Sequence, residues 1–527
     1  MAGSAALDPV AAQASAPQVG QGAPARAGRS FYIRNLAATQ ELQVPTPAEI
    51  NNGDERRYPN FIGNFSKGLA HNSIGEVDPN AYQIYLAAIQ SPSSESFEAV
   101  PLGGNVKFVN PLAGVAFELE GTDSHQLAIP PAPAVAGQAR ADEMVELYWM
   151  ALCRDVNFTD YASAPLAQAA ASELSSLTGF AGPRSGGSVT AQTLFRGFTA
   201  SDVIGPYVSQ LFQTPFSYAQ FTLNGQVTTY QSGIDYLTTQ ADWLACQNGE
   251  GPFVTNEVDP QPRYYRNGRD LAVYVHVDHI CEAFYTAALR LFEAGAPMNP
   301  GNPYVNSKTQ AGFGTFGEPR FLAMNGEFAV PALKAVWYAK WFVHRALRPE
   351  AYGGLVHMNQ TGQAKYPLHR DVLGSKALQQ SFAKYGTYLL SSAFPEGCPQ
   401  HPSYAQGHGS VSGACATVLK AAFDGSVQFN TLKNSGIVVS SEDGLSLVPY
   451  TGADANQVTV TGEINKVASN VGLARTFASV HWRSDYMQGL LLGEAVALSI
   501  LRDESGVYGE SFTGFKITKF DGTTITI

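Results

Sequence analysis

Lys340 and Arg348, Gly407 and His408, and Arg475, His481 and Asp485 occupy three separated segments of a 527-residue chain. Together they are the parts of an oxyanion cage. The first segment reads Lys340-WFVHRAL-Arg348-Pro349. At 100° per residue, eight helical steps leave the two cations about 80° apart, so both can lean to one side. The second, His401 to Phe423, reads HPSYAQGHGSVSGACATVLKAAF. Small residues around Gly407-His408-Gly409-Ser410 open a helix there, and its free N–H groups and positive dipole end seat an anion within reach of His408. In the third, Arg475-TFASV-His481-WRS-Asp485, a shared helical face lets the carboxylate orient one imidazole nitrogen and leave the other free. Arg475 lies about 120° around from His481 on a continuous helix, so the helix is expected to begin or break between them. Guanidinium and backbone N–H groups match the oxygens of a tetrahedral anion, phosphate or its analogue vanadate.

Each piece alone is ordinary. A Lys–Arg pair at this spacing is a solvated face roughly four times in five, and a His–Asp pair four apart is more often structural than catalytic. What points to chemistry is the combination: three cations, an N–H-lined helix start, one oriented histidine and one free one.

The elements that must position these groups are mostly helices. An apolar stripe at Met144, Leu147, Tyr148, Ala151 and Leu152 predicts a helix over 141–156, and further helices are expected near 163–178, 232–247 and 269–294. Another spans 330–348 and is expected to stop at Pro349. The helix after His408 is expected to end at Asp424-Gly425. Two more follow, in INKVASNVGLARTFASV and QGLLLGEAVALSILRDE. Before them, 427–462 alternates in four strand-like stretches, VQFNTL, GIVVSS, LSLVPY and QVTVTG, and reads as a small β insertion, and Asp521-Gly522 predicts a terminal hairpin. The N-terminal side reads as a loose arm over 1–30, rich in Ala, Gly, Gln and Pro, and a wrapping region over 31–140. Residues 141–527 then form the helical core. The expected fold is mainly α, with helix bundles, a site between helices and small β-hairpins at the periphery. In the 269–294 stretch, His279 and Glu282 suggest a metal pair about one time in ten, and a solvated or pairing face is the better reading of His276, Asp278, His279 and Glu282.

Composition excludes several classes. A net charge of -11 with 15% charged residues argues against a nucleic-acid-binding face, so any anion must be held by a local cluster. No run of about 18 apolar residues is present to span a membrane, and the first thirty residues lack the basic start and apolar core of a secretory signal. The five cysteines are widely spaced with no CxxC pair, which favours free, partly buried thiols over zinc or disulfides.

K-x7-RP, then GH at a helix start, then R-x5-H-x3-D resembles the active-site pattern of vanadium-dependent haloperoxidases and their acid-phosphatase relatives. NFSKGLAHNSIGEVDP (64–79), LYWMALCRDV (147–156), LFRGFTASDVIGPYVSQ (194–210), HRALRPEAYGGL (344–355), HPSYAQGH and KFDGTTITI look like the red-algal and cyanobacterial vanadium bromoperoxidases, across nearly the whole chain. The resemblance implies two four-helix bundles per subunit, a large homo-oligomer (a dodecamer in the red-algal branch) and a vanadate cofactor. It implies that His481 ligates vanadium, and that Lys340, Arg348, Arg475 and the N–H of Gly407 hold the oxygens. His408 acts as acid–base, Asp485 orients His481, and Trp337 and His401 line the halide side. Hydrogen peroxide, polarised through Lys340, then oxidises bromide, and also iodide, to a hypohalous species that halogenates small organic acceptors. One position departs from the pattern: Gln406 replaces the usual Ser, whose hydroxyl bonds a vanadate oxygen, and its longer amide either donates from a shifted position or crowds the cofactor. Two other readings stand beside this one. The first is an acid phosphatase with His481 as nucleophile and His408 protonating the leaving group. The second is a non-catalytic oxyanion-binding or assembly protein in which Gln406 marks a lost activity.

Overall fold

The helix Gly407–Ala422 is the axis on which the site is hung, and every residue in it except His408 is buried. Helices Glu318–Tyr338, Val460–Phe477 and Arg483–Ser505 pack around it, forming one four-helix bundle. The crossing with the last of these is tight. A Cβ at Gly493 would lie 1.8 Å from the Ser410 carbonyl oxygen and one at Gly413 2.1 Å from that of Leu490, so the backbones meet directly. A second group of helices gathers on Gln138–Leu152, which packs on Pro165–Ser176, Arg370–Leu373 and Lys376–Tyr385. The two groups are clamped at the start of Arg483–Ser505. Arg483 pairs with buried Glu146 at 2.5 Å, and Glu143 accepts from the Ser484 N–H at 2.7 Å. Acidic side chains at a helix N-terminus satisfy its unpaired donors and its dipole.

The structure is a computed structural model, described for residues 23–527. Most of the expected 1–30 arm lies outside that range, and within it the chain is already helical, over Ala23–Leu42. Among the described residues, the strands form three two-stranded antiparallel hairpins. One is the C-terminal hairpin, Lys516–Thr518 with Thr524–Thr526, turned at Gly522 (φ 83°). Of the four alternating stretches in 427–462, two pair, Val438–Ser440 with Leu447–Pro449. The first becomes a short 3-10 turn at Phe429–Thr431, and the last enters the Val460 helix behind a Thr459 cap.

Two expected helices are not continuous. Residues 269–294 form Gly268–Tyr274 and Glu282–Glu293, with a non-helical link between. The 330–348 helix widens into a π-helical turn over Ala339–His344 and reverses at Arg345, whose backbone is left-handed (φ 40°). Pro349 is therefore not a stop. It opens the next helix, Pro349–Gln360, at a first-turn position where its missing N–H costs nothing. The central helix ends at Ala422 with Phe423 as its cap, just before the Asp424-Gly425 stop, and the Asp424 N–H is taken by the Pro297 carbonyl at 2.8 Å.

Candidate active site

His481 is placed by two helix ends. The Val460–Phe477 helix closes with Ser479 in the left-handed region (φ 68°), Ser479 N–H bonded to Thr476 O (2.9 Å) and Val480 N–H to Arg475 O (3.1 Å). This is a Schellman closure with serine where glycine is usual, and it ends the helix between Arg475 and His481 as expected. Buried Arg154 braces it, donating to Phe477 O (2.8 Å) and Ser479 Oγ (3.0 Å). Two residues later the Arg483 helix starts, with Trp482 as its cap and Asp485 accepting from the Trp482 N–H at 3.2 Å. His481 thus stands in the link before the helix and does not share a helical face with Asp485. The contact forms all the same: His481 Nδ1 lies 2.6 Å from Asp485 Oδ2, which also accepts from Ser403 Oγ. With Nδ1 bound to the carboxylate, Nε2 is the free, lone-pair nitrogen.

Arg348 reaches that nitrogen, and Lys340 and Arg475 are near enough to disfavour a charge on the ring. One Arg348 NH1 hydrogen points at His481 Nε2 (3.0 Å), and the same group donates to Val480 O (2.7 Å). Arg348 also donates to His401 O (2.9 Å) and its NH2 lies 3.0 Å from His401 Nδ1. Lys340 Nζ donates to Pro402 O (2.8 Å) and Ser403 O (2.7 Å). Arg475 donates to Val275 O (2.7 Å), while its Nε is buried without a partner. The eight-residue helical spacing of Lys340 and Arg348 is not what aligns them. The chain reversal at Arg345 does, bringing both onto the carbonyls of loop 401–403.

Among the described residues no carboxylate touches any of the three cations, although all are buried. Burying an unpaired charge costs several kcal/mol, so the arrangement calls for an anion. The titration shifts record the same strain. Burial, then Arg348, Lys340 and Arg475, hold the His481 imidazole well below its usual range, so its ring is neutral. Burial, then Arg348, lowers the Lys340 ammonium well below its ordinary value, and burial pushes Arg475 down to about 10. Burial raises Asp485.

His408 projects from the helix start, with Nε2 2.9 Å from Asp278 Oδ1. Burial alone would raise the Asp278 carboxyl, but His408 and Arg475 hold it below its ordinary value. Asp278 lies in the break of the 269–294 stretch, and that break delivers it to the site. His279 is exposed, and its backbone N–H is capped by Glu282 (3.2 Å). No group of three or more metal-binding side chains occurs among the described residues. The Trp337 and His401 rings lie 4.7 Å apart beside Lys340, with Trp337 Nε1 donating to Val109 O (3.0 Å). Gln406 caps the helix start without a side-chain hydrogen bond to it; its Nε2 donates to Gly472 O (3.0 Å).

The family described as VCPO second helical-bundle domain matches residues 320–505, a range that includes Trp337, Lys340, Arg348, His408, Arg475, His481 and Asp485 but not Asp278. A vanadium-dependent bromoperoxidase of Corallina pilulifera is 34% identical over 95% of this chain and 98% of its own length. The chain belongs to the vanadium-dependent bromoperoxidases. A second such relative, from Ascophyllum nodosum, is 33% identical over 95% of this chain and 94% of its own. The fold agrees: the second vanadate-dependent bromoperoxidase of Ascophyllum nodosum, AnII, superposes with a TM-score of 0.90 at 30% identity, over 97% of this chain and 93% of that one.

Beyond the motif, this bromoperoxidase carries supports that spacing alone does not reveal. Buried Lys67 pairs with Glu350 (2.6 Å) and donates to the carbonyls of Glu396 (2.8 Å) and Cys398 (2.6 Å), and Glu350 accepts from the Cys398 N–H (2.7 Å). That pair fixes the loop leading to His401, Pro402 and Ser403. Lys67 and Arg154 both fall within the stretches (64–79 and 147–156) that carry the resemblance, which was the available signal. Ser403 falls within HPSYAQGH in the same way, whereas Asp278 lies outside those stretches and is expected from the sequence only on a solvated or pairing face. All five cysteines are free, and Cys281 is the only one not fully buried. No described helix is long and apolar enough to cross a membrane.

Proposed function

We propose that Lys340, Arg348, Arg475 and the N–H of Gly407 hold the oxygens of vanadate, with His481 Nε2 as the protein ligand to the metal. The observation that carries this reading is the set of three buried cations, free of carboxylate contact, around a neutral imidazole nitrogen. When bound, vanadate supplies a Lewis-acidic centre that keeps its oxidation state and activates hydrogen peroxide towards halide. The side chains do the rest. Asp485 keeps the His481 proton on Nδ1, so the Nε2 lone pair stays available. Asp278 anchors one nitrogen of His408, whose other nitrogen takes a proton from the arriving peroxide and returns one to the departing oxygen. Lys340 and the two arginines stabilise the charge left on oxygen as the peroxide bond breaks. Trp337 and His401 wall the side from which bromide or iodide approaches. Halide, hydrogen peroxide and a proton give hypohalous acid and water, and the acid halogenates small organic acceptors.

Reconstitution tests the whole reading. Metal-free protein is expected to gain bromide- and peroxide-dependent bromination as vanadate is added, to saturation at one vanadate per chain. An aryl phosphatase activity with no response to vanadate and peroxide would replace this function with the hydrolytic one.

The chain also assembles with copies of itself. AnII is described as homohexameric, and the resemblance implies a dodecamer. Support comes from the 20-residue helix Ala23–Leu42, which buries no side chain from Ala25 onwards. Its last turn is tied to the rest of the chain, through Arg502 and Gln126 to Glu41, but the helix lacks the packing that supplies most helical stability, and Phe31, Leu42, Phe117 and Leu119 are all more than two-thirds exposed. Light scattering is expected to give a dodecamer or a hexamer, and a monomer at micromolar concentration would overturn the assembly.

A further inference from the structure

Gln406 sits at the mouth of the anion seat, immediately before Gly407 and His408, yet its amide is committed elsewhere. Nε2 donates to the Gly472 carbonyl at 3.0 Å, and Oε1 is buried with no partner. The side chain is fully buried where three helices cross almost backbone to backbone. A Cβ at Gly409 would stand 3.2 Å from Gln406 Oε1 and 3.0 Å from Tyr486 O, and one at Gly472 would stand 2.2 Å from the Tyr486 ring. The amide is therefore trapped between the Gly407, Val460 and Arg483 helices. To turn towards the seat it would have to leave that crossing and strand the Gly472 contact. Leaving that crossing would strand the buried Gly472 carbonyl, a desolvation cost that holds the amide where it is.

We propose that Gln406 sets the oxyanion affinity of this bromoperoxidase by withholding a side-chain donor: the cap of the Gly407–Ala422 helix offers vanadate its backbone N–H groups and nothing more. The inference rests on the cage reading above and sharpens it. Gln406 leaves the seat without a side-chain donor, because its amide is held on the Gly472 carbonyl. A serine at the same position cannot span to Gly472; its hydroxyl remains over the first turn of the helix, where cap side chains sit. There it adds one charge-assisted hydrogen bond to the bound oxyanion, an interaction worth at least a factor of about ten in affinity.

The test is calorimetric titration of orthovanadate, and separately of inorganic phosphate, into metal-free full-length protein carrying Gln406, Gln406→Ala or Gln406→Ser. Thermal unfolding of each protein confirms an intact fold. Gln406→Ala is expected to bind both anions within about twofold of the native protein, and Gln406→Ser about tenfold more tightly. A tenfold loss in a folded Gln406→Ala protein would show that the amide does reach the anion and overturns the proposal. So does an unchanged affinity in Gln406→Ser. No binding of either anion to any of the three proteins would instead sink the cage itself, and with it the role assigned here.

Discussion

His481→Ala is expected to abolish vanadate-dependent bromination while the protein still folds and still binds phosphate. The ring can offer a lone pair to a metal, since Asp485 occupies Nδ1 at 2.6 Å and, among the described residues, Nε2 meets only an Arg348 N–H at 3.0 Å in hydrogen-bond range. Removing it takes away the proposed metal ligand but none of the three cations, and these grip any tetrahedral anion through charge and N–H geometry. Vanadate and phosphate should then bind with similar strength, because the bond that tells a metal centre from phosphorus is gone. The fold survives because His481 lies in a link between helices, and the Asp485 cap on Trp482 (3.2 Å) does not depend on it. A monobromination assay beside calorimetry with both anions checks this. Bromination within tenfold of the native rate would mean that another residue ligates the metal.

Lys340→Met is expected to lower the bromination rate by about 10²–10³, the cost of losing one donor aimed at developing oxyanion charge. It should also remove a proton that accompanies binding. Burial, then Arg348, holds the Lys340 ammonium well below its ordinary pKa while the cage lacks an anion. An anion beside it restores the charge, so the pKa is higher in the bound state than in the free one. A group whose pKa rises on binding takes up protons wherever the pH lies between the two values, and affinity falls as pH rises through that window. Calorimetry in two buffers of different ionisation heat counts those protons. The native protein should take up more than Lys340→Met, a comparison that cancels the ionisation of vanadate itself. Equal uptake by the two proteins would show that Lys340 is already charged in the empty cage.

Much of this site was legible as spacing. Gly407-His408 at a helix start, a break between Arg475 and His481, and an orienting carboxylate four residues after His481 all follow from local rules. Caps, dipoles and turns act over a few residues, and their signals are written in those residues. The same locality explains the C-terminal hairpin at Asp521-Gly522 and the helical bundle around Gly407–Ala422. It also explains the misreadings. Pro349 is equally at home after one helix or at the start of the next, and only the reversal at Arg345, held by Glu55 at 2.7 Å across nearly three hundred residues, selects the second. In 427–462, alternation marked four strands where partners existed for two.

The chain's own residue order thus determined which groups are available for the proposed cage: the cations, the two histidines, the aspartate and the helix start at Gly407. What the tertiary structure alone decided is where their free valences point. Asp278 reaches His408 from a broken helix 130 residues away, and Lys67 and Glu350 brace the carbonyls on which Lys340 and Arg348 hang. The amide of Gln406 is drawn off to Gly472. Side-chain direction at a buried crossing depends on neighbours distant in the sequence, and close packing leaves each group one place to go.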